Sequence, residues 1–363
     1  MKNNIKVRVF RYDPEHDPNP YYEEYEVQYQ EKMRVLDVLH YIHDNYDSSL
    51  SYRWICRSGQ CGSCTIMING KPGLACRTEA TVQMLLEPID IFPIVKDLVV
   101  DLEKGYLKLN KIRPFLHRKG KEEDFLKAEE FEQIKEFRRC IECWSCVAGC
   151  PVVKEAWDDY GGPLEIRKLA ELNLRKDILD RVSIAFAEGV YNCTTCKTCV
   201  EVCPQEIEIP KKAVQKLRTR AVEKGLAKEP HKKVSKLVVD TKRSVSRETT
   251  PFLETIPEVI GEGEPVLFFT GCMIDYRLQE LGMSVVSVLN KNKFRVIIPK
   301  EQGCCGSPLL KVGMKEIGES QAIKTIKLFS AYSKKFDNSK VVMACPGCSS
   351  TMKEDYPEIA EQH

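Results

Sequence analysis

Residues 140–151 read CIECWSCVAGCP and residues 193–204 read CTTCKTCVEVCP, two copies of the pattern C-x2-C-x2-C-x3-C-P. In a two-cluster ferredoxin such a run holds [4Fe-4S] clusters, and the fourth cysteine of each copy ligates the cluster of the other. The spacing predicts one cluster on Cys140, Cys143, Cys146 and Cys203, and a second on Cys150, Cys193, Cys196 and Cys199. Cross-ligation keeps the two clusters close, and Pro151 and Pro204 turn the chain away after each last ligand. A pair of zinc sites is the weaker reading of the same residues.

Working outward, the 363-residue chain carries 17 cysteines, an odd number gathered in tight groups. Disulfides usually join distant segments and staple domains too small to build a core, and 43% hydrophobic residues supply ordinary cores here. Metal ligation explains the grouping better. With 55 Lys and Arg against 53 Asp and Glu, no global field draws the chain to nucleic acid or anionic lipid. The first eleven residues have no apolar core of a signal peptide, and no run of about 18 apolar residues occurs, so the expectation is a cytoplasmic protein without a membrane span.

On the N-terminal side, CRSGQCGSC at 56–64 gives Cys56, Cys61 and Cys64 the plant-type C-x4-C-x2-C spacing, with Cys76 as fourth thiolate after a short hairpin. This predicts a [2Fe-2S] cluster, with Gly59 and Gly62 letting backbone N–H groups approach it. Four cysteines could also close a zinc site. The surrounding pattern is β-rich: strands at 5–11 and 22–29 flank a Pro/Asp/Asn turn at 13–20, further strands fall at 65–69 and 89–93, and Val35, Leu36, Val38, Leu39 and Ile42 mark a crossing helix. From about Lys121 the pattern is helical and charged, with a helix over 163–174. The basic run at 211–243 lacks interleaved aromatics and reads as a solvated face, with a docking patch for an acidic partner as the weaker reading.

On the C-terminal side, residues 248–265, rich in Pro, Gly and Glu, read as a linker. Strands predicted at 266–270, 294–298 and 341–344 alternate with helices at 275–290 and 315–334, a small α/β unit. Cys272, the pair Cys304 and Cys305, and Cys345 with Cys348 each follow one of its strands, where open α/β sheets place ligands. Zinc on four of the five, or an unused dithiol, fits the same residues.

The loop at 56–64, the LAC at 74–76 and FPIVKDLVVD at 92–101 resemble the iron-sulfur subunits of succinate dehydrogenases and fumarate reductases over residues 1 to about 210. Typical members lack a cysteine where this chain has Cys196 and hold a [3Fe-4S] cluster, so a full cubane is expected here. The grouping GC at 271–272, GCCG at 303–306 and CPGCSSTMKEDYP at 345–357 resembles the CCG module of heterodisulfide reductases, whose five thiolates bind a non-cubane [4Fe-4S] cluster. That family carries two such modules around its substrate; with one present here, the second lies on another chain, or was lost, or is not needed.

Taken together, the chain most resembles the iron-sulfur subunits of the thiol-driven fumarate reductases of methanogenic archaea. The resemblance implies that Cys272, Cys304, Cys305, Cys345 and Cys348 form the catalytic centre oxidising coenzyme M and coenzyme B thiols, with electrons passing to an FAD on a partner flavoprotein. No G-x-G-x-x-G occurs on this chain to bind a dinucleotide. The alternatives are a non-catalytic wire to a heterodisulfide reductase partner and a succinate dehydrogenase subunit serving a quinone. The expected fold is α+β and multi-domain: a β-grasp ferredoxin domain at 1–108, an α-helical two-cluster domain at 109–245, a linker at 246–262 and an α/β CCG domain at 263–363.

Other residues invite functional readings that the sequence does not support. His40 and His43 share a helical face without further ligands, so surface positions are expected. Trp144 is expected to exclude water from the first cubane, and Tyr21, Tyr22 and Tyr25 to be strand residues. The glycines at 303 and 306 form no phosphate loop, because no Gly-Lys-Ser/Thr follows.

Overall fold

The computed structural model describes residues 4–117, 128–175, 177–337 and 339–362. The onset of the charged helical pattern at about Lys121 lies outside the described residues. The chain divides into two compact units, Met1–Leu217 and Arg218–His363.

In the first unit, strands β1 (Asn4–Arg11), β2 (Tyr21–Gln28), β3 (Thr65–Ile68), β4 (Lys71–Leu74) and β5 (Gln83–Glu87) form one sheet in the order β2-β1-β5-β3-β4. β1 pairs parallel with β5 and antiparallel with β2. Alternate residues of β1, Ile5, Val7 and Val9, face the core, as a strand's two-residue period requires. The helix Val35–Asn45 covers that face with the five apolar residues expected of it. The strand expected at 89–93 is instead a turn: Pro88 and Pro93 deny it ladder hydrogen bonds, and the pairing strand is β5, just before it. A ribbon of β6 (Ile94–Lys96) and β7 (Val99–Val100) follows.

Arg11 ties this ribbon to the sheet. Its buried guanidinium donates to Asp97 at 3.1 Å and to Tyr25 at 2.9 Å, and also reaches Asp47. Burial works against ionising Asp47, but hydrogen bonds from Ser49 and Arg11 hold its carboxyl down at about 2.

Beyond the sheet the unit is helical. Its central helix, Pro163–Leu174, coincides with the span read from sequence and is buried along most of its length. Of the ionisable groups this traps, Arg167 donates to Glu171 at 2.9 Å and to the Phe137 carbonyl at 2.9 Å, while burial pushes the Glu165 carboxyl up to about 8.

The second unit is built on β8 (Val259–Ile260), β9 (Glu264–Phe269), β10 (Phe294–Ile297) and β11 (Lys340–Met343), in the order β11-β9-β10-β8. β9, β10 and β11 are parallel, and β8 is antiparallel to β10. Phe268 and Val296 face one apolar layer, Leu267, Phe269 and Ile297 the other, so the central strands are apolar on both faces. The helix expected over 275–290 is split into Gly271–Tyr276 and Gln279–Lys291.

Residues 246–262 are folded rather than a linker. Phe252, Leu253 and Ile256 are buried in the core and β8 completes the sheet. Their Pro/Gly/Glu-rich composition hides three apolar anchors. The helix Glu229–Thr241, read from sequence as part of the middle domain, belongs to this second unit.

Candidate metal centres

The loop at 56–64 turns backbone donors onto Cys56. Ser58 and Gln60 direct N–H groups at the Cys56 sulfur at 3.4 and 3.3 Å, and the Ser58 bonds above all pull that thiol down to about 6. Burial pushes Cys64 up to about 12. Cys76 arrives through the β3–β4 hairpin, whose Asn69 and Gly70 both have positive φ, the geometry of a tight two-residue turn. Gly62 also has positive φ, and a Cβ there would lie 2.8 Å from the Cys143 Cβ. The loop therefore packs directly on the first ferredoxin-type motif.

The two C-x2-C-x2-C-x3-C motifs fold alike. Glu142 and Trp144 in the first and Thr195 and Lys197 in the second, equivalent positions, are all left-handed. Non-glycine residues tolerate that conformation only where the surroundings impose it. The repeat extends to hydroxyls: Ser145 lies 3.3 Å from the Cys143 sulfur and Thr198 lies 3.3 Å from that of Cys196. Sequence reading missed these partners, although a Ser or Thr two residues after the second cysteine of both copies was visible.

Cys140, Cys143 and Cys146 line one small cavity together with Cys203 of the other motif. Cys150 in turn has the sulfurs of Cys193 and Cys196 as neighbours, and Cys199 has those of Cys193, Cys150 and Cys196. Burial, reinforced by neighbouring sulfurs, raises Cys146 well above the ordinary thiol range and also raises Cys199. Cys196 is the exception: burial opposes ionisation, yet the Thr198 bonds hold it below the usual value.

In the second unit the five cysteines meet at the carboxyl ends of the three parallel strands. Cys272 follows β9, Cys304 and Cys305 follow β10, and Cys345 caps the helix Pro346–Glu354 after β11, with Cys348 in its first turn. The sulfurs of Cys305 and Cys348 are 3.3 Å apart. N–H groups of Ser244 and Gly306 point at Cys272 and Cys304, each at 3.4 Å. The Cys304 contact and burial raise Cys272; Cys304 itself, despite an opposing bond from Cys272, is pushed up to about 11 by Cys305 and burial. All five line a cavity of about 360 Å³. Its rim carries Met273, Leu278 and Leu281, exposed by 43%, 45% and 44%.

These donor sets fit cationic clusters. Buried thiols that resist ionisation alone lose their protons when a metal cation supplies the opposing charge. Among the described residues no three His, Cys, Asp or Glu side chains converge tightly enough for one metal ion.

Family comparisons agree with this division. Residues 6–106 match a 2Fe-2S iron-sulfur cluster binding domain, 136–207 a 4Fe-4S dicluster domain and 266–353 a cysteine-rich domain. A fumarate reductase (CoM/CoB) subunit of Methanothermobacter marburgensis is 37% identical over 355 residues, covering 97% of this chain and 71% of that protein. The chain belongs to the fumarate reductase and succinate dehydrogenase iron-sulfur family, in its form fused to a cysteine-rich domain. An uncharacterized iron-sulfur protein of Methanococcus maripaludis is 44% identical over 337 residues, 90% of this chain and 67% of that protein. Among solved structures, a chain of the Mycobacterium smegmatis Sdh1 complex matches with a TM-score of 0.57 and 32% identity over 62% of this chain and 98% of its own. A hypothetical protein from Helicobacter pylori, 16% identical, shares the fold over 100% of this chain and 65% of its own, with a TM-score of 0.61.

The full cubane expected from Cys196 has a local test. Cys196→Ser is expected to remove one iron and to give the oxidised protein a new [3Fe-4S] EPR signal. An unchanged iron count would remove Cys196 from the ligand set.

The residues set aside from sequence fall as follows. His40 is half-buried rather than on the surface, bonded through Nδ1 to the Tyr52 hydroxyl at 2.7 Å and packed edge-on to Trp54. Trp144 is buried between Phe92 and Tyr106 and lines the cavity of Cys140 and Cys203. Tyr21 and Tyr22 are half-exposed strand residues, while Tyr25 is buried against Arg11. Among the described residues no helix is long and apolar enough to cross a membrane.

Proposed function

We propose that this chain carries electrons from a thiol-oxidising centre in its cysteine-rich domain to a flavoprotein partner that reduces fumarate. Cys56, Cys61, Cys64 and Cys76, on a β-grasp domain spanning 1–108, hold a [2Fe-2S] cluster. Cys140, Cys143, Cys146 and Cys203 hold one [4Fe-4S] cluster, and Cys150, Cys193, Cys196 and Cys199 a second, within 109–245. Cys272, Cys304, Cys305, Cys345 and Cys348 hold a non-cubane [4Fe-4S] cluster within 263–363. When bound, these groups supply one-electron carriers.

The observation that carries the reading is the convergence of five cysteines, four of them buried, on one cavity with an apolar rim. Met273, Leu278 and Leu281 lead a thiol toward the sulfurs, and burial keeps water from them. Two thiols, such as those of coenzyme M and coenzyme B, give one disulfide, two protons and two electrons. Fumarate takes up two electrons and two protons on an FAD-bearing partner to become succinate. A second cysteine-rich module facing the rim completes the site. Direct packing of Gly62 on Cys143 supports a short path between the first two centres.

Two measurements test this. The purified complex should reduce fumarate with the two thiols as sole donor; turnover with dyes or quinones alone defeats the proposal. Metal analysis of anaerobic protein should give about fourteen irons, whereas about ten irons, with or without zinc, removes the fourth cluster.

A further inference from the structure

The cysteine-rich match begins at residue 266, yet a segment well before it touches two of the five cysteines. Lys242 ends the helix Glu229–Thr241 in a left-handed conformation, and its carbonyl accepts the Cys304 N–H at 2.9 Å. Two residues later the Ser244 N–H points at the Cys272 sulfur at 3.4 Å, with the Ser244 side chain beside the same sulfur. Between them Arg243 turns inward. Its Nε and Nη2 donate to Asp275 Oδ2 at 2.7 and 2.6 Å, and its Nη1 donates to the Lys242 carbonyl at 3.1 Å.

Asp275 lies one turn after Cys272 on the same short helix. Its other oxygen accepts the Leu253 N–H at 3.0 Å. The side chains of the pair are only 9% and 1% exposed. A buried ion pair often does no more for stability than well-packed apolar residues of similar volume. Its geometric effect is specific: it ties the 242–244 segment to the helix that carries Cys272.

We infer that Arg243 and Asp275 are positioning residues that hold Ser244 against the Cys272 sulfur and thereby set the properties of the cluster at that site. Hydrogen bonds to a ligating sulfur stabilise its negative charge and favour the reduced cluster, so they raise the reduction potential. Losing them lowers it. The inference rests on the five-cysteine set holding a cluster, as proposed above.

The test compares anaerobic, cluster-loaded complex carrying Asp275→Asn, Arg243→Gln, Arg243→Lys or Ser244→Ala with the parent, by iron content, EPR and redox titration. Asp275→Asn and Arg243→Gln are expected to lower the midpoint of the C-terminal cluster and change its EPR signal, leaving the [2Fe-2S] and cubane signals in place. Thiol-dependent turnover should fall by roughly 10–100-fold, the usual cost of losing an outer partner of a metal ligand. Arg243→Lys, which keeps one bond to Asp275, should recover part of the midpoint. Ser244→Ala leaves the buried pair intact and should shift the midpoint in the same direction by less, which decides the matter if the pair variants do not fold. A C-terminal cluster with unchanged midpoint and EPR signal in the folded variants overturns this inference alone. A parent protein without that cluster overturns the site assignment and this inference with it.

Discussion

Arg181→Met should lower the unfolding temperature of the N-terminal unit by roughly 10 °C, followed as loss of visible cluster absorption on heating. The Arg181 and Asp177 side chains are fully buried. Arg181 donates to the carbonyls of Ile112, Arg113 and Phe115 at 2.5, 3.0 and 2.7 Å and to Asp177 at 2.6 Å. It thereby pins the chain after the helix Glu103–Lys111 to the helix Arg181–Ala187. Methionine would leave a buried carboxylate and three carbonyls without their donor, a loss of about 3–5 kcal/mol.

The pair also predicts acid sensitivity. Burial opposes ionisation of Asp177, but the Leu179 N–H and Arg181 bonds outweigh it and depress its pKa. The stabilisation is fully present above the unfolded carboxylate pKa of about 3.9 and is lost as pH falls through the lower folded value. Asp177→Asn should flatten that acid limb. An Arg181→Met protein with the parent's unfolding temperature would refute the assignment.

Cys305→Ser is expected to cut thiol-dependent fumarate reduction by at least about a hundredfold, because under the proposed assignment it removes a ligand rather than an outer partner. Cys305 is buried, 3.3 Å from the Cys348 sulfur. Its loss should remove irons from the C-terminal site alone, since the other twelve cysteines lie in the first unit. Fumarate reduction driven by a dye donor should therefore persist. Equal loss of both activities would mean that the cysteine-rich domain supports the complex structurally rather than supplying its electrons.

The cysteine groups were legible because their chemistry is local: ligand spacing, the two-residue hairpin turn and the strand ends are set by neighbours a few residues apart. The same local reading erred where context decides. Residues 246–262 have the composition of a linker, yet Phe252, Leu253 and Ile256 are buried in a core assembled from distant strands. Likewise 89–93 looks strand-like by residue type, but the sheet selects Gln83–Glu87 because that segment lies in register with β1.

By itself, then, the sequence determined which thiols are available, how they are grouped and the redox chemistry they favour, since those depend on residue type and short spacing. Only the tertiary structure decided which groups stand beside them. The Ser244 N–H on Cys272, the Arg243–Asp275 pair behind it and the contact of Gly62 with Cys143 join residues up to tens of positions apart. Such contacts follow from how helices and strands pack, and no local pattern encodes them.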